Sequence, residues 1–323
     1  MSQNNSSILH AGLDVAKLSL ELHLAGRPHS LANDPRGHAK LLRLLRAHPT
    51  AHVICEATGG YEQPVVRALQ AAGIPVSIIE PGRVRNHARA KGLRAKTDRI
   101  DAALLSHFGA THSPPPTPAD SARQQQLSAW TQRRRQLLDL LTMERNRAEH
   151  YLDRFCLRQS RQLQKTLDRQ IQACEQAITA LIAGDADLGR KAGRLREIPG
   201  VGQVVAATVL AEMPELGRLN PETAAALAGV APYNADSGPV TGPRHIAGGR
   251  KPLRCALYMA ALSAVRHDPV LKKFYQRLRD GGKKPLVALT ACMRKLIILM
   301  NRLLKDETFK MHNSKNRKFS LAL

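Results

Sequence analysis

The sequence predicts an α/β layer fold in its N-terminal third, then a long helical spacer and a mostly helical C-terminal domain. Three observations lead to this prediction. Short apolar runs alternate with stretches of helical leucine spacing through the first third of the chain. Four prolines then fall within residues 111–119, which is typical of a boundary or a stiff linker. The residues that follow contain no glycine or proline before Gly184, as expected of long helices.

The strands of the first third are predicted from apolar runs. The run that starts at Ile8 ends at Asp14, and residues 18–24 alternate leucine with polar residues, the pattern of a half-buried strand. Two further buried strands are expected at 53–56 and 76–79. Helices are expected at 35–46, 63–72 and 84–90, and from Asp98 onward.

Four acidic residues occupy the ends of these elements. Asp14 and Glu56 end separate strands, whereas Asp98 and Asp101 begin a helix three residues apart and therefore share one face. A solvated helix start and ordinary strand-end turns are the plain alternative, since aspartate is favoured in a first helical turn. If the ends converge, their repulsion is relieved by hard divalent cations that prefer oxygen ligands. We therefore expect a site for two Mg²⁺ or Mn²⁺ ions, suited to phosphodiester cleavage.

The charge of the chain points to a polyanionic partner. The formal net charge is +23 at pH 7, the charge balance typical of nucleic-acid binding, although a merely soluble basic protein is the alternative. Aromatic residues make up only 3% of the chain, which argues against base stacking as the main binding mode.

Cysteine usage and hydropathy predict a cytoplasmic protein without a membrane segment. The five cysteines are odd in number and form no CxxC pair, so we expect small core residues in a reducing compartment. The polar start of the chain lacks the apolar core of a signal peptide. The longest apolar stretch, Leu286–Leu304, is interrupted by basic residues and is interpreted as a buried helix.

Heptad spacing marks the helical spacer. Apolar residues step by 4, 3, 4 and 3 positions at Leu167, Ile171, Cys174, Ile178 and Leu181. This pattern favours either a coiled coil that dimerises or two helices that pack within one chain, and the sequence does not decide between them. The predicted division of the chain is a domain at 1–112, the linker and spacer at 113–190, a C-terminal domain at 191–306 and a basic tail at 307–323.

The C-terminal domain contains two candidate nucleic-acid contacts. Gly200 and Gly202 open an apolar helix as in a helix-hairpin-helix element, whose free N–H groups suit a phosphate, and a tight helix–helix turn is the alternative. Ser237 then lies in a loop rich in glycine and cations, where it is either an exposed nucleophile or a plain turn residue. His245, in the same loop, is a proton shuttle or a structural histidine. The cations of this region are Arg244, Arg250, Lys251 and Arg254.

Three motifs resemble those of the DEDD insertion-sequence transposases, the Piv/MooV-type recombinases. They are Gly12–Lys17, Cys55–Gly59 and Lys96–Ala102, and the resemblance covers nearly the whole chain. It implies that the N-terminal domain has an RNase H-like fold similar to the RuvC Holliday-junction resolvases. It also implies that Asp14, Glu56, Asp98 and Asp101 are the DEDD metal ligands.

For the second half, the resemblance implies that Ser237 is a catalytic serine that attacks the phosphodiester and holds a 5′-phosphoserine link. Arg244 and Arg250 are then candidate phosphate clamps. Many members of the family carry Ser-Lys where this chain has Ala247-Gly248, so the cationic role falls to Arg250 or Lys251. The implied partners are donor and target double-stranded DNA, a structured non-coding guide RNA, and a second or further copies in a homodimer or homotetramer.

Other functions stay open from the residues. A RuvC-like junction-resolving endonuclease would hydrolyse DNA at the same acids with water alone. A non-catalytic nucleic-acid-binding regulator would need neither the acids nor Ser237. The Gly12-Leu13-Asp14 sequence also occurs in the phosphate loops of actin-like kinases, but a second such loop is not apparent. The resemblance favours a recombinase that cuts and rejoins DNA strands over these alternatives.

Overall fold

The computed structural model describes residues 8–92, 98–234, 242, 244–309 and 311, with only the backbone of residues 98 and 99. The chain divides into two compact units, one up to residue 119 and one from residue 120. The finer four-part division expected from the sequence stays a prediction.

The first unit is built on a mixed sheet of five strands among the described residues, in the order β3-β2-β1-β4-β5. β2 pairs antiparallel with β1 and β3, whereas β4 runs parallel to both β1 and β5. The mixed α/β prediction is confirmed. The strands are β1 (Leu9–Val15), β2 (Ser19–Leu24), β3 (Arg27–Ala32), β4 (Ala51–Glu56) and β5 (Val76–Ile79), and the helices are α1 (Pro35–Arg46), α2 (Gln63–Ala71), α3 (Pro81–Ala90) and α4 (Asp98–His112).

Each face of this sheet has its own helices. Leu13 and Cys55 belong to a buried cluster with Leu41 of α1 and Leu69 of α2. On the other face, a smaller cluster joins β4 and β5 to α3 and α4, and contains Ile54, Ile79, Val84, Leu104, Leu105 and Phe108. Since side chains alternate along a strand, the even-numbered residues of β1, including Asp14, belong to the α4 face.

The proline-rich segment covers the open edge of the sheet. Thr117 N–H donates to the Val76 carbonyl oxygen at 2.8 Å, and its hydroxyl accepts from Ile78 N–H at 3.0 Å. Ser77 Oγ donates to the Pro115 carbonyl oxygen at 2.8 Å. The segment expected to act as a linker therefore also pairs with backbone hydrogen-bonding groups of β5. Without it, the edge of this strand would expose those groups and favour aggregation.

The second unit is mostly helical in its described part, as predicted. A two-stranded ribbon of β6 (Pro232–Tyr233) and β7 (His245–Ile246) is its only sheet among those residues. The helices are α5 (Ala122–Ala148), α6 (Arg154–Ala183), α7 (Ala186–Arg196), α8 (Gln203–Glu212), α9 (Pro221–Leu227), α10 (Lys251–His267), α11 (Pro269–Asp280) and α12 (Pro285–Lys305).

The heptad stripe of α6 is buried within the chain. Leu167 and Ile171 pack against Leu137 and Leu141 of α5. Ile178 and Leu181 belong to the main core of the unit. The stripe is thus occupied by intramolecular packing, the second of the two alternatives left open by its spacing, and dimerisation through a coiled coil stays a prediction.

The apolar stretch at 286–304 forms most of α12, whose Leu296 and Leu299 are fully buried. No helix in the described part of the chain is long and apolar enough to cross a membrane. Burial raises the pKa of the Cys55 and Cys292 thiols to about 12, in keeping with core residues. Cys156 and Cys255 are exposed, so the expectation of a core position is wrong for these two.

Candidate active site

Asp14 and Glu56 lie side by side at the carboxyl end of neighbouring parallel strands. Leu13 of β1 is in register with Cys55 of β4, so the next residue on each strand is the acid. Both acids are half-buried. Because in-register residues of neighbouring strands share a face, the two carboxylates occupy the same side of the sheet.

Helix α4 runs antiparallel to β1 on that side. Ser106 Oγ donates to the His10 carbonyl oxygen at 2.7 Å, and Gly12, two residues further along β1, lies against Ala102. Four helical residues rise about 6 Å, nearly the length of two strand residues. The next turn of α4 towards its N-terminus, with Asp98 and Asp101, therefore falls at the level of Asp14.

The donor set fits a hard divalent cation chemically. Asp14, Glu56 and Asp101 supply carboxylate oxygens, the ligands that Mg²⁺ and Mn²⁺ prefer. All three are half-buried and interact with other groups of the protein. Among the residues whose side chains are described, no three His, Cys, Asp or Glu side chains form a group able to hold a metal ion. The side chain of Asp98, the expected fourth ligand, lies outside the described residues.

Glu62 is a buried acid that the sequence reasoning missed. Its carboxylate accepts hydrogen bonds from Thr58 N–H at 3.1 Å, Thr58 Oγ1 at 2.9 Å and Gly60 N–H at 2.9 Å. Burial alone would raise the pKa of Glu62, but these hydrogen bonds together outweigh burial and lower it. Glu62 thus fixes, as a carboxylate, the turn that follows Glu56. Its position four residues after Thr58 was the available signal.

The C-terminal candidates surround the β6–β7 ribbon. Ser237 falls in the connection between these two strands and lies outside the described residues. The base of the ribbon is a glycine crossing, where a Cβ on Gly249 would sit 2.2 Å from the Gly229 nitrogen. Both glycines have positive φ angles, of 69° at Gly229 and 70° at Gly249. Only glycine combines that conformation with so close an approach.

The cations of this region differ in their surroundings. Arg250 Nη2 forms a 2.6 Å ion pair with Glu215, and Nη1 donates to the Glu212 carbonyl oxygen. Arg254 Nη1 donates to the Gly248 carbonyl oxygen at 2.7 Å. Both guanidinium groups therefore already make contacts within the protein, whereas the side chains of Arg244 and Lys251 are exposed. His245 is exposed on β7.

The two glycines of the helix-hairpin-helix-like element also differ. A Cβ on Gly200 would sit 2.6 Å from the Ala260 carbonyl oxygen, so this glycine allows close packing against α10. Gly202 is exposed and is the N-cap of α8, without a side chain to cap the helix. Of the two, only Gly202 has the exposure that a phosphate contact requires.

Two family models match the chain. A DEDD transposase model of the IS110 type matches residues 11–157, and a model described as "Transposase IS116/IS110/IS902 family" matches residues 192–276. The first stretch includes the four acids and the second includes Ser237. The pilin gene-inverting proteins of Moraxella bovis and Moraxella lacunata are each 28% identical over 305 residues, which is 90% of this chain and 94% of the relative.

A solved structure described as "T. thermophilus RuvC in complex with Holliday junction substrate" aligns with 33% of this chain and with 99% of the RuvC chain. The two are 16% identical with a TM-score of 0.27, which is too low to support an argument about fold or function.

Asp14 and Glu56 lie at the carboxyl ends of the parallel strands β1 and β4. Together with the two matched models, they define an enzyme of DNA transposition and recombination. The chain belongs to the IS116/IS110/IS902 family of transposases.

Proposed function

We propose that this transposase, of the Piv/MooV type, cuts and rejoins DNA strands through divalent-metal-dependent attack by Ser237. The observation that carries the proposal is the convergence of Asp14, Glu56 and the first turn of α4 at one end of the sheet. The backbone positions of these acids therefore lie at the same end of the sheet although they are far apart in sequence, and this arrangement supports the proposal of an RNase H-like catalytic domain.

In this proposal Asp14, Glu56, Asp98 and Asp101 hold the metal and set its position. Two bound Mg²⁺ or Mn²⁺ ions would supply activation of the attacking oxygen and stabilisation of the leaving oxygen. The chain contributes the geometry: Gly12 lets α4 approach β1, and Glu62 holds the turn after Glu56. Both contributions keep half-buried carboxylates together despite their repulsion.

Ser237 is the proposed nucleophile. Its hydroxyl oxygen attacks the phosphorus, the 3′-oxygen of the broken strand leaves, and a 5′-phosphoserine link forms. A 3′-hydroxyl then attacks that link, which releases the serine and joins the strands. Lys251 and Arg244 are the preferred phosphate contacts because they are exposed. In the proposal, Gly202, Arg250 and Arg254 are secondary contacts to the same nucleic acid. An active site shared between protomers of a homodimer or homotetramer is part of the proposal.

Target choice in the proposal comes from a structured non-coding RNA that pairs with donor and target DNA. The sequence offers no zinc finger and no basic zipper to read bases. A net charge of +23 suits a protein that carries an RNA and two duplexes.

The test is adduct formation by the full-length protein with Mg²⁺ and labelled DNA that carries the element junction. We expect a denaturant-resistant protein–DNA adduct that is lost in Ser237→Ala and kept in the control Ser30→Ala, an exposed serine on β3. Cleavage without an adduct in Ser237→Ala would instead identify a water-dependent junction-resolving nuclease.

The acids are tested separately. Asp14→Asn, Glu56→Gln and Asp101→Asn should each abolish cleavage, while Asp139→Asn, an exposed aspartate of α5, should not. Unchanged recombination in all three acid variants would indicate a non-catalytic regulator and contradict the proposal.

A further inference from the structure

Helix α3 begins beside the candidate active site. Glu56 at the end of β4 is in register with Ile79 at the end of β5. Ala57 N–H donates to the Ile79 carbonyl oxygen at 3.0 Å, so the two strands leave the sheet together. Since α3 starts at Pro81, its first turn is two residues from the strand end that neighbours Glu56.

The exposed surface of α3 is strongly cationic. Arg83, Arg85 and Arg89 are exposed, as is Lys91 directly after the helix. The helix contains no acid, and none of these four side chains takes part in a salt bridge with the described residues. Arg85 and Arg89 are four residues apart and are therefore neighbours on the helix surface. Only Val84 of this helix is buried.

The helix is fixed to α4, which carries Asp101. Val84 packs in the cluster that contains Leu104 and Leu105. His87 Nε2 lies 3.0 Å from His107 Nδ1, and His87 Nδ1 lies 3.2 Å from His112 Nε2. The guanidinium of Arg83 lies 5.4 Å from the centroid of Phe108. The arginines and the acids thus belong to one packed assembly within the first unit.

We propose that the exposed face of α3, with Arg85 and Arg89 at its centre, binds the phosphates of the DNA strand that is cleaved. Carboxylates repel a phosphodiester backbone, so a strand that reaches them needs cations close by. Arginine is the side chain best suited to phosphate, and within the described part of the chain these cations form no ion pair that a phosphate would have to displace. Arg85 and Arg89 are positioning residues in this proposal, which rests on the proposed action of the acids on DNA.

The test compares two pairs of exposed arginines at opposite ends of the same sheet. Arg43 and Arg46 lie in the last turn of α1, just before β4 begins, and so mark the amino end of the parallel strands. Arg85→Ala/Arg89→Ala and Arg43→Ala/Arg46→Ala remove the same charge. Both pairs are placed in full-length Asp14→Asn protein, with Ca²⁺ in place of Mg²⁺, so that binding is read without cleavage.

The first readout is the salt dependence of binding to a labelled DNA duplex. The binding constant falls as salt rises, and each lost phosphate contact makes the slope of log K against log salt less steep by about 0.9. Arg85→Ala/Arg89→Ala should therefore make the slope less steep by about 2. Arg43→Ala/Arg46→Ala should reduce the steepness by less than half as much. Arg85→Lys/Arg89→Lys should retain most of the wild-type steepness. Equal slopes for the two alanine pairs would overturn the proposal.

The second readout is photo-crosslinking from a benzophenone amino acid at position 89 or 43, with a DNA duplex and an RNA duplex of the same sequence. We expect strong crosslinking to DNA from position 89 and little from position 43. Crosslinking from position 89 to RNA alone, or no more than from position 43, would overturn the proposal. Because binding is read in an inactive background, failure here and failure of the serine chemistry are distinguishable.

Discussion

Gly12 of β1 touches the backbone of Ala102 in α4 so closely that a Cβ on this glycine would sit 1.9 Å from the Ala102 carbonyl oxygen. The same Cβ would sit 2.5 Å from the Ser106 nitrogen. A strand and a helix approach this closely only where no side chain separates them. This contact sets the height of α4 along β1 and therefore the level of Asp101 relative to Asp14.

Replacing Gly12 tests that contact. Gly12→Ala should displace α4, lower the free energy of unfolding by about 1–3 kcal/mol as overpacked cores do, and reduce metal-dependent cleavage at least tenfold. The control is Gly82→Ala in α3, where the new Cβ meets nothing closer than 3.4 Å. Urea denaturation and cleavage assays measure both effects. Wild-type behaviour of Gly12→Ala would mean that α4 does not dock as described.

Gly249 offers a matched test for the serine half. Gly248 and Gly249 have similar positive φ angles of 63° and 70°, but a Cβ on Gly248 meets nothing within 4 Å. Gly249→Ala should therefore disturb the base of the β6–β7 ribbon and abolish the Ser237 adduct, whereas Gly248→Ala should bear only the backbone strain. Adduct yield measures the difference. Equal yields would show that the glycine crossing does not position the serine loop.

Acid should weaken the first unit through the buried His52 and the half-buried His10. His10 and His52 are in register on β1 and β4, with ring centroids 5.5 Å apart. Burial lowers the pKa of both, and the charge of His10 lowers that of His52 further. The unfolded chain therefore binds protons more readily than the folded chain. As the pH is lowered from about 6.5, the free energy of unfolding should decrease, and it should level off once the pH is below the folded-state pKa values.

The histidine effect is isolated by His52→Gln, which retains a group able to donate to Ser77 Oγ, now 2.8 Å from His52 Nε2. Its unfolding free energy should change less between about pH 7.5 and about pH 5 than that of wild type. His150→Gln, at an exposed position in the second unit, should keep the wild-type slope. An unchanged slope in His52→Gln would rule out this source of acid sensitivity.

Glu62 should matter for both stability and cleavage. Glu62→Ala leaves the N–H groups of Thr58 and Gly60 without their acceptor, at a cost of about 1–3 kcal/mol. The turn after Glu56 should loosen, so metal-dependent cleavage should fall as well. Glu80→Ala removes a carboxylate that makes no capping hydrogen bond and should leave the unfolding midpoint unchanged. Urea denaturation measures the unfolding midpoints of the two variants. Equal midpoints for Glu62→Ala and Glu80→Ala would contradict a structural role for Glu62.

The strands that carry the acids were predictable because their signals are local. Apolar runs that end at Asp14 and Glu56 correspond to β1 and β4, and the helix expected from Asp98 is α4. β3 was missed because Arg27–Ala32 is mostly polar and forms a strand through pairing with β2. Four prolines predict a linker, and nothing local reveals that Thr117 pairs with Val76.

Long-range contacts in the second unit were equally invisible in the sequence. The ion pair joins Arg250, just before α10, to Glu215 in the turn after α8, a contact that residue spacing does not reveal. The sequence reasoning therefore treated Arg250 as a free phosphate clamp. Gly200 packs against α10, which no local pattern indicates. The Ser237 role stays a prediction that adduct formation tests.

The central claim is that the acids at the carboxyl end of β1 and β4 hold divalent ions, and anomalous diffraction tests it most directly. Crystals of the full-length protein soaked in Mn²⁺ should show anomalous density bonded to the carboxylates of Asp14 and Glu56, in contact with the first turn of α4, and Asp14→Asn should remove it. Mn²⁺ density elsewhere, or none at this end of the sheet in the wild-type protein, would contradict the account.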